Sequence, residues 1–104
     1  MLSKTERMNA LLDWYDKLLT EKQKATAAMY YREDYSLAEI AEHTQSSRSA
    51  VYDTLQRVEK ILEDTEAKLR CIDKYDQRRI IYQKLREIHS DAVDEYINQL
   101  IDLE

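Results

Sequence analysis

Ser36-Leu37-Ala38-Glu39-Ile40-Ala41-Glu42-His43-Thr44-Gln45-Ser46-Ser47-Arg48-Ser49-Ala50-Val51-Tyr52-Asp53-Thr54-Leu55-Gln56 is the stretch that decides the fold. Ser36 with Glu39 three residues on is a capping box: the hydroxyl satisfies an orphan amide in the first helical turn, and the carboxylate reaches back. Thr44-Gln45-Ser46 is a three-residue polar turn, and Ser47 is a favourable N-cap for the helix that follows. Two short helices meeting at a steep angle need apolar residues to lock the angle and a small residue where they nearly touch. Polar residues then face out from the start of the second helix. Leu37, Ile40, Val51 and Leu55 supply the lock, and Ala41 the close contact. Arg48, Ser49, Tyr52, Asp53 and Gln56 face outward. The stretch reads as a helix-turn-helix.

Working outward, the same punctuation recurs. Ser3-Lys4-Thr5-Glu6 and Thr20-Glu21-Lys22-Gln23 are further capping boxes, each just before helical periodicity. A first helix is predicted from about Lys4 to Leu19, with Met8, Leu11, Leu12, Tyr15, Leu18 and Leu19 on one face. A second runs from Glu21 to about Arg32. Its small residues allow close approach, which puts it in the middle of the packing. Glu33-Asp34-Tyr35 is a link, and a short third helix covers Leu37 to His43.

The helix after Ser47 has the strictest pattern. Val51, Leu55, Val58, Leu62, Thr65, Leu69 and Ile72 are spaced 4, 3, 4, 3, 4, 3, a heptad seam with only Thr65 polar. From Arg48 to Ile72 it would be about 37 Å long. Its second half therefore needs cover from the C-terminal helix or from another copy of the chain. A homodimer seam of Val51, Leu55, Val58, Leu62, Leu69 and Ile72 is expected. Residues 73–104 read as one or two further helices, with Ile81, Leu85, Ile88, Ala92, Tyr96 and Ile97 on a shared face. A break at His89-Ser90-Asp91, capped by Ser90, is left open.

The organisation expected is one compact all-α domain. A three-helix head spans residues 1–62, its long helix continues to about 72, and residues 73–104 form a dimerisation or interaction element.

Composition supports an all-helical chain. Its 104 residues include no glycine and no proline, so positive-φ turns and two-residue β-hairpins have no natural supplier. A single cysteine, Cys71, excludes a disulfide framework, argues against a zinc site and fits a reducing cytoplasm. No stretch approaches the roughly 18 apolar residues of a membrane span. No apolar run follows Met1-Leu2-Ser3-Lys4, so neither a signal peptide nor membrane insertion is expected.

Several of these motifs together resemble known families. Leu19 to Gln23, Tyr35 to Ala41, Ser47-Arg48 and Val51 are similar to region four of sigma factors, which grips promoter DNA. Met8-Asn9, Leu19 to Gln23, Tyr30-Tyr31, Asp34 to Glu42, Ala50 to Asp53 and Arg57 resemble, more specifically, the YlxM family, over roughly residues 4–75. The resemblance implies a bacterial sigma-like helix-turn-helix protein encoded beside signal recognition particle genes, acting in or regulating that protein-targeting pathway. Sigma-type turns often read Leu-Gly-Val before the Ser. Here Gln45 stands where glycine would tolerate a left-handed backbone, so Gln45 accepts that conformation or the turn is shaped differently.

Two surfaces are candidates for nucleic acid. In the first, Ser47, Arg48, Ser49, Tyr52, Gln56, Arg57 and Lys60 lie on the putting-forward face of the second motif helix. Arg48 and Gln56 could reach base edges of DNA, with Arg57 and Lys60 placed for phosphates. Against this, residues 36–62 carry three positive and four negative side chains, whereas phosphate contacts dominate DNA affinity. The second surface lies in residues 68–86, which hold seven cations and two acids, while 87–104 hold six acids and no cation. There Tyr75, Arg79, Tyr82 and Arg86, joined by Arg78, would suit exposed RNA bases, or the protein or RNA of the signal recognition particle. The same pattern suits Arg–aromatic pairs that stiffen a helix or an interface. No Ser, Cys or His stands with a carboxylate in a catalytic arrangement, and no glycine-rich phosphate loop is possible. Neither an enzyme nor a cofactor nor a metal is expected.

Overall fold

The computed structural model describes residues 2–104. Among them the chain is all-helical: α1 (Lys4–Tyr15), α2 (Glu21–Tyr31), α3 (Leu37–Thr44), α4 (Arg48–Leu69), α5 (Cys71–Arg86) and α6 (Asp91–Asp102). They divide into two compact units, Met1–Arg70 and Cys71–Glu104.

The helix starts follow from their caps. Thr20 and Gln23 exchange both capping-box hydrogen bonds, as do Ser36 and Glu39. At Ser3 the hydroxyl accepts from the Glu6 amide at 3.1 Å. The first helix is shorter than its periodicity predicts. It ends at Tyr15, one 3-10 turn follows over Asp16–Leu18, and Leu19 is extended. Thr20 has to be extended to cap α2, and the chain leaves the helix early to arrive there. Leu18 consequently points to solvent while Leu19 is buried.

In the first unit α2 and α4 each pack against the other three helices. Met8, Leu11, Leu12, Tyr15, Leu19, Ala27, Met29, Tyr31, Ile40 and Ala41 close over Val51, Leu55, Val58 and Leu62 of α4. Fully burying one such aliphatic side chain contributes about 1.5–3 kcal/mol, so this one core dominates the unit's stability.

The long helix corrects two expectations. It stops at Leu69, because Arg70 takes a left-handed conformation at φ 55° and ψ 32°, and the heptad pattern is cut before Ile72. The second half of α4 is covered by α1 of the same chain. Lys4 pairs with Glu59 at 3.1 Å, Arg7 with Glu63 at 2.9 Å, and the Tyr15 hydroxyl donates to Glu66. Four positions of the expected dimer seam, Val51, Leu55, Val58 and Leu62, are thus interior positions of one chain, where a second copy cannot reach them. Leu69 is exposed, and Ile72 is buried as part of α5.

A chain without glycine still needs left-handed residues. Asp34, Gln45, Arg70 and His89 have φ of 55–57°, one in each link from α2 to α6. For a residue bearing a Cβ this conformation costs roughly 1–2 kcal/mol. Gln45→Gly is therefore expected to stabilise the protein by about 0.5–1 kcal/mol, raising the melting temperature by roughly 2–8 °C. A thermal melt of the variant beside the parent checks it; a lower melting temperature would show that Gln45 is not held left-handed.

The second unit is a two-helix hairpin, which settles the break left open at His89-Ser90-Asp91. His89 is left-handed, and the Ser90 hydroxyl caps α6 by accepting from the Val93 amide at 3.4 Å. Tyr82 and Ile97 are buried. Polar side chains tie the helices together: Arg78 and the Tyr82 hydroxyl both reach Glu104, and Arg86 donates to Asn98 at 3.0 Å. The predicted shared face is corrected too. Ile81, Ile88, Ala92 and Tyr96 are exposed, because the turn reverses the chain and α5 presents its Tyr82 side to α6.

Candidate nucleic-acid interface

The turn between α3 and α4 aims the candidate reading surface. Gln45 sits at φ 55° and ψ 42°, and its N–H donates back to the Ala41 and Glu42 carbonyls. The Ser46 N–H donates to the Ala41 carbonyl at 2.9 Å. The polar residues standing where apolar ones are usual make bonds of their own. The Thr44 hydroxyl donates to the Ile40 carbonyl at 2.8 Å, and Thr44 and Ser46 share a hydroxyl–hydroxyl bond at 2.8 Å. Ser47 is extended and its Oγ accepts from the Ala50 amide at 3.0 Å, so α4 begins at Arg48. Beneath the turn, buried Ile40, Ala41, Val51 and Leu55 fix the angle between the helices; Leu37 is half-buried at their edge.

On the outer side Ser47, Arg48, Ser49, Tyr52, Asp53, Gln56, Arg57 and Lys60 are all exposed. One face of α4 thus carries Arg48, Tyr52 and Gln56 on successive turns. The charge on this face is better than the bare count of residues 36–62 suggests. Glu59 is paired with Lys4, which lies outside that stretch. Glu39 stays ionised, because hydrogen bonds from Ser36 in its capping box hold its carboxyl below the usual carboxylate range. Asp53 remains among the outward residues, set against Arg48 and Arg57. Lys60 is turned to Asp64, one helical turn on, at 3.1 Å.

A cleft absent from the sequence reading opens beside this face. Tyr30, Tyr31, Leu37, Tyr52, Gln56 and Glu59 line it. Tyr30 and Tyr31 meet edge to face with ring centroids 5.0 Å apart, and burial pushes the Tyr31 phenol above its ordinary value. The Tyr30-Tyr31 pair was its one signal in the sequence. Adjacent tyrosines on a helix point in different directions, so nothing in that pair says what they border.

The second candidate surface is dispersed by the fold. Arg78, Tyr82 and Arg86 turn toward α6, where Glu104 and Asn98 occupy their polar atoms. The hydrogen bond to Glu104 raises the Tyr82 phenol above its usual value. Arg79 lies over the Tyr75 ring, 5.7 Å from its centroid. The alternation of Arg and Tyr is therefore spent largely within α5 and its hairpin.

Among the described residues no cluster of His, Cys, Asp and Glu side chains could hold a metal ion. No helix among them is long and apolar enough to cross a membrane.

Comparison with known proteins agrees with this architecture. Residues 2–103 match the UPF0122 family, described as helix-turn-helix protein, YlxM / p13 like. A UPF0122 protein of Oceanobacillus iheyensis is 49% identical over 105 residues, covering 100% of both chains. A UPF0122 protein of Shouchella clausii is 50% identical over 98% of this chain and 94% of its own. UPF0122 protein YlxM of Bacillus subtilis is 47% identical over 90% of this chain and 86% of its own. With its helix-turn-helix framed by α3 and α4, and with a match that runs almost end to end, the chain belongs to the UPF0122 family of YlxM / p13-like helix-turn-helix proteins.

Proposed function

We propose that the protein is a DNA-binding regulator that reads the major groove with the first three turns of α4, in or upon the signal recognition particle pathway. The observation that carries the DNA reading is the capped, buried-hinge presentation of Arg48, Tyr52 and Gln56 on one exposed helix face. Arg48 suits the acceptor pair of a guanine and Gln56 the donor–acceptor pair of an adenine. Ser47, Ser49 and Arg57 are placed for backbone phosphates, and Lys60 joins them if it leaves Asp64. The link to protein targeting rests on the resemblance to the YlxM family.

DNA selected from genomic fragments on immobilised protein tests it. Affinity for the selected site should fall steeply with salt, and Arg48→Ala and Gln56→Ala should each weaken it by roughly 5- to 150-fold, from about 1–3 kcal/mol per bidentate base contact. Enrichment of no fragment, or full binding by the double variant, would overturn the reading. The rival is an accessory module that binds the protein or RNA of the signal recognition particle through residues 68–86. The low net charge of the α4 face favours it, since few uncompensated cations are offered to phosphate. It predicts binding that survives those substitutions and is lost in Arg79→Ala.

A further inference from the structure

The cleft beside the candidate reading face has no part in the proposed function. It encloses about 200 Å³. Pockets for drug-sized ligands hold ~300–1,000 Å³, and a void of about 150 Å³ takes a benzene ring. The occupant that fits is one ring with a short polar stem. Four helices meet at the cleft, all in the first unit: α1 gives Lys4, α2 Tyr30 and Tyr31, α3 Leu37, and α4 Tyr52, Leu55 and Glu59.

Its inner wall and its mouth differ in chemistry. Tyr31 and Leu55 are buried and make the inner side apolar, while Tyr30 and Tyr52 stand partly in water. Such rings gain from a further ring packed offset or edge-on. At the mouth Lys4 Nζ lies 3.1 Å from Glu59 Oε2, the lysine exposed and the glutamate half-buried. The Glu59 charge is felt inside as well. After burial itself, it does most to raise the Tyr31 phenol, and by hydrogen bond and charge it raises the Lys4 ammonium. A cation and an anion side by side, next to aromatic walls, match a ligand with both charges at one end and a ring at the other. A lone cation at Glu59 would crowd Lys4, and a lone anion at Lys4 would face Glu59. A zwitterion avoids both conflicts, because the four charges then alternate in sign. The Lys4–Glu59 pair need not break, since a carboxylate offers about four acceptor sites and an ammonium three donors.

We propose that the cleft binds one free aromatic amino acid, its ring packed among Tyr30, Tyr31 and Tyr52, its ammonium on Glu59 and its carboxylate on Lys4. Tyr52 and Gln56 belong both to the cleft and to the outward face of α4. An occupied cleft therefore changes the surface offered to DNA, and where the proposed function holds, the amino acid is its effector. The binding itself does not rest on that reading.

Proton–nitrogen correlation spectra of the full chain, titrated with L-phenylalanine to ten millimolar without DNA, test this. Saturable shifts are expected at the amides of Thr5, Tyr31, Leu37 and Gln56. L-alanine, with both charges and no ring, should not saturate. N-acetyl-L-phenylalanine lacks the ammonium and L-phenylalanine amide the carboxylate; each should bind roughly fivefold or more weakly, for the loss of one charge-assisted hydrogen bond. Glu59→Gln should weaken L-phenylalanine by a similar factor. Neither Glu59 nor Lys4 is buried, so Glu59→Gln and Lys4→Met should keep their helicity by circular dichroism, and Lys4→Met should also bind more weakly than the parent. No saturable shift by ten millimolar overturns the inference, and so do shifts confined to α5 and α6. It falls equally if L-alanine or the N-acetyl form binds as well as L-phenylalanine, if the amide does (a site for a cation alone), or if Glu59→Gln binds undiminished. Amino-acid binding by a protein that binds no DNA leaves the inference standing and sinks only the proposed function; DNA binding without amino-acid binding does the reverse.

Discussion

Leu62→Ala is expected to destabilise the protein by about 2–5 kcal/mol. Leu62 is 0% exposed and among the largest fully buried side chains. It lies on the half of α4 that α1 covers, between the positions where Arg7 and Lys4 bind Glu63 and Glu59. The loss combines the transfer of the deleted methyl groups with the cavity they leave, which close-packed surroundings cannot collapse to fill. A chain of this length has a total stability of roughly 5–15 kcal/mol, so the variant would lose a large share of it. The melting temperature should fall by about 8–40 °C, at 4–8 °C per kcal/mol. The same substitution decides between interior and seam. An interior Leu62 lowers stability equally at every protein concentration. If Leu62 instead met a second chain, the deficit would shrink as concentration rises, and the assignment of α4 to its own core would fail. Leu18→Ala, at a side chain 60% exposed, should stay within about 0.5 kcal/mol of the parent.

Gln45→Pro should be as damaging, by a different route. The proline ring fixes φ near −65° and removes the N–H, while the native residue has φ 55° and uses that N–H to close α3 on Ala41 and Glu42. Neither requirement can be met, and the expected cost is about 3 kcal/mol or more. The damage is local to the hinge that sets the angle of α4. Loss of DNA affinity in conditions where the variant remains folded would follow from a misaimed Arg48 and Gln56. Together with the stabilisation expected of Gln45→Gly, the pair makes a test of opposite sign at one position. Equal melting temperatures for the two variants would show that the turn does not depend on a left-handed residue.

Much of the site was legible in the residues because it is built from local rules. Ser36 with Glu39, Ser47 with its amide three residues on, and the apolar spacing of Ile40, Val51 and Leu55 each involve residues within a turn or two of one another. Their geometry follows from helix periodicity and capping. The left-handed Gln45 was one of two outcomes the residues left open, since a three-residue link with no glycine either places a side chain in that region or takes another shape, and the structure takes the first. The Arg–Tyr alternation of α5 admitted both an RNA-facing and a pairing reading, because it was read on one helix alone. Its meaning depends on Glu104 and Asn98, 26 and 12 residues away from Arg78 and Arg86.

By itself, then, the sequence determined the helical class, the starts of α1 to α4, the helix-turn-helix and its outward residues, all consequences of interactions between near neighbours. Only the tertiary structure decided what covers the heptad pattern of α4. A period of 3.5 says that one side of a helix must be buried, and is silent on whether α1 of the same chain or a second chain buries it. The structure answered with α1, through Lys4, Arg7 and Tyr15. It also turned the chain back at His89, leaving the unclaimed apolar side on α5 and α6. Burial is a property of the whole fold, and a spacing along one helix can demand it without naming its source.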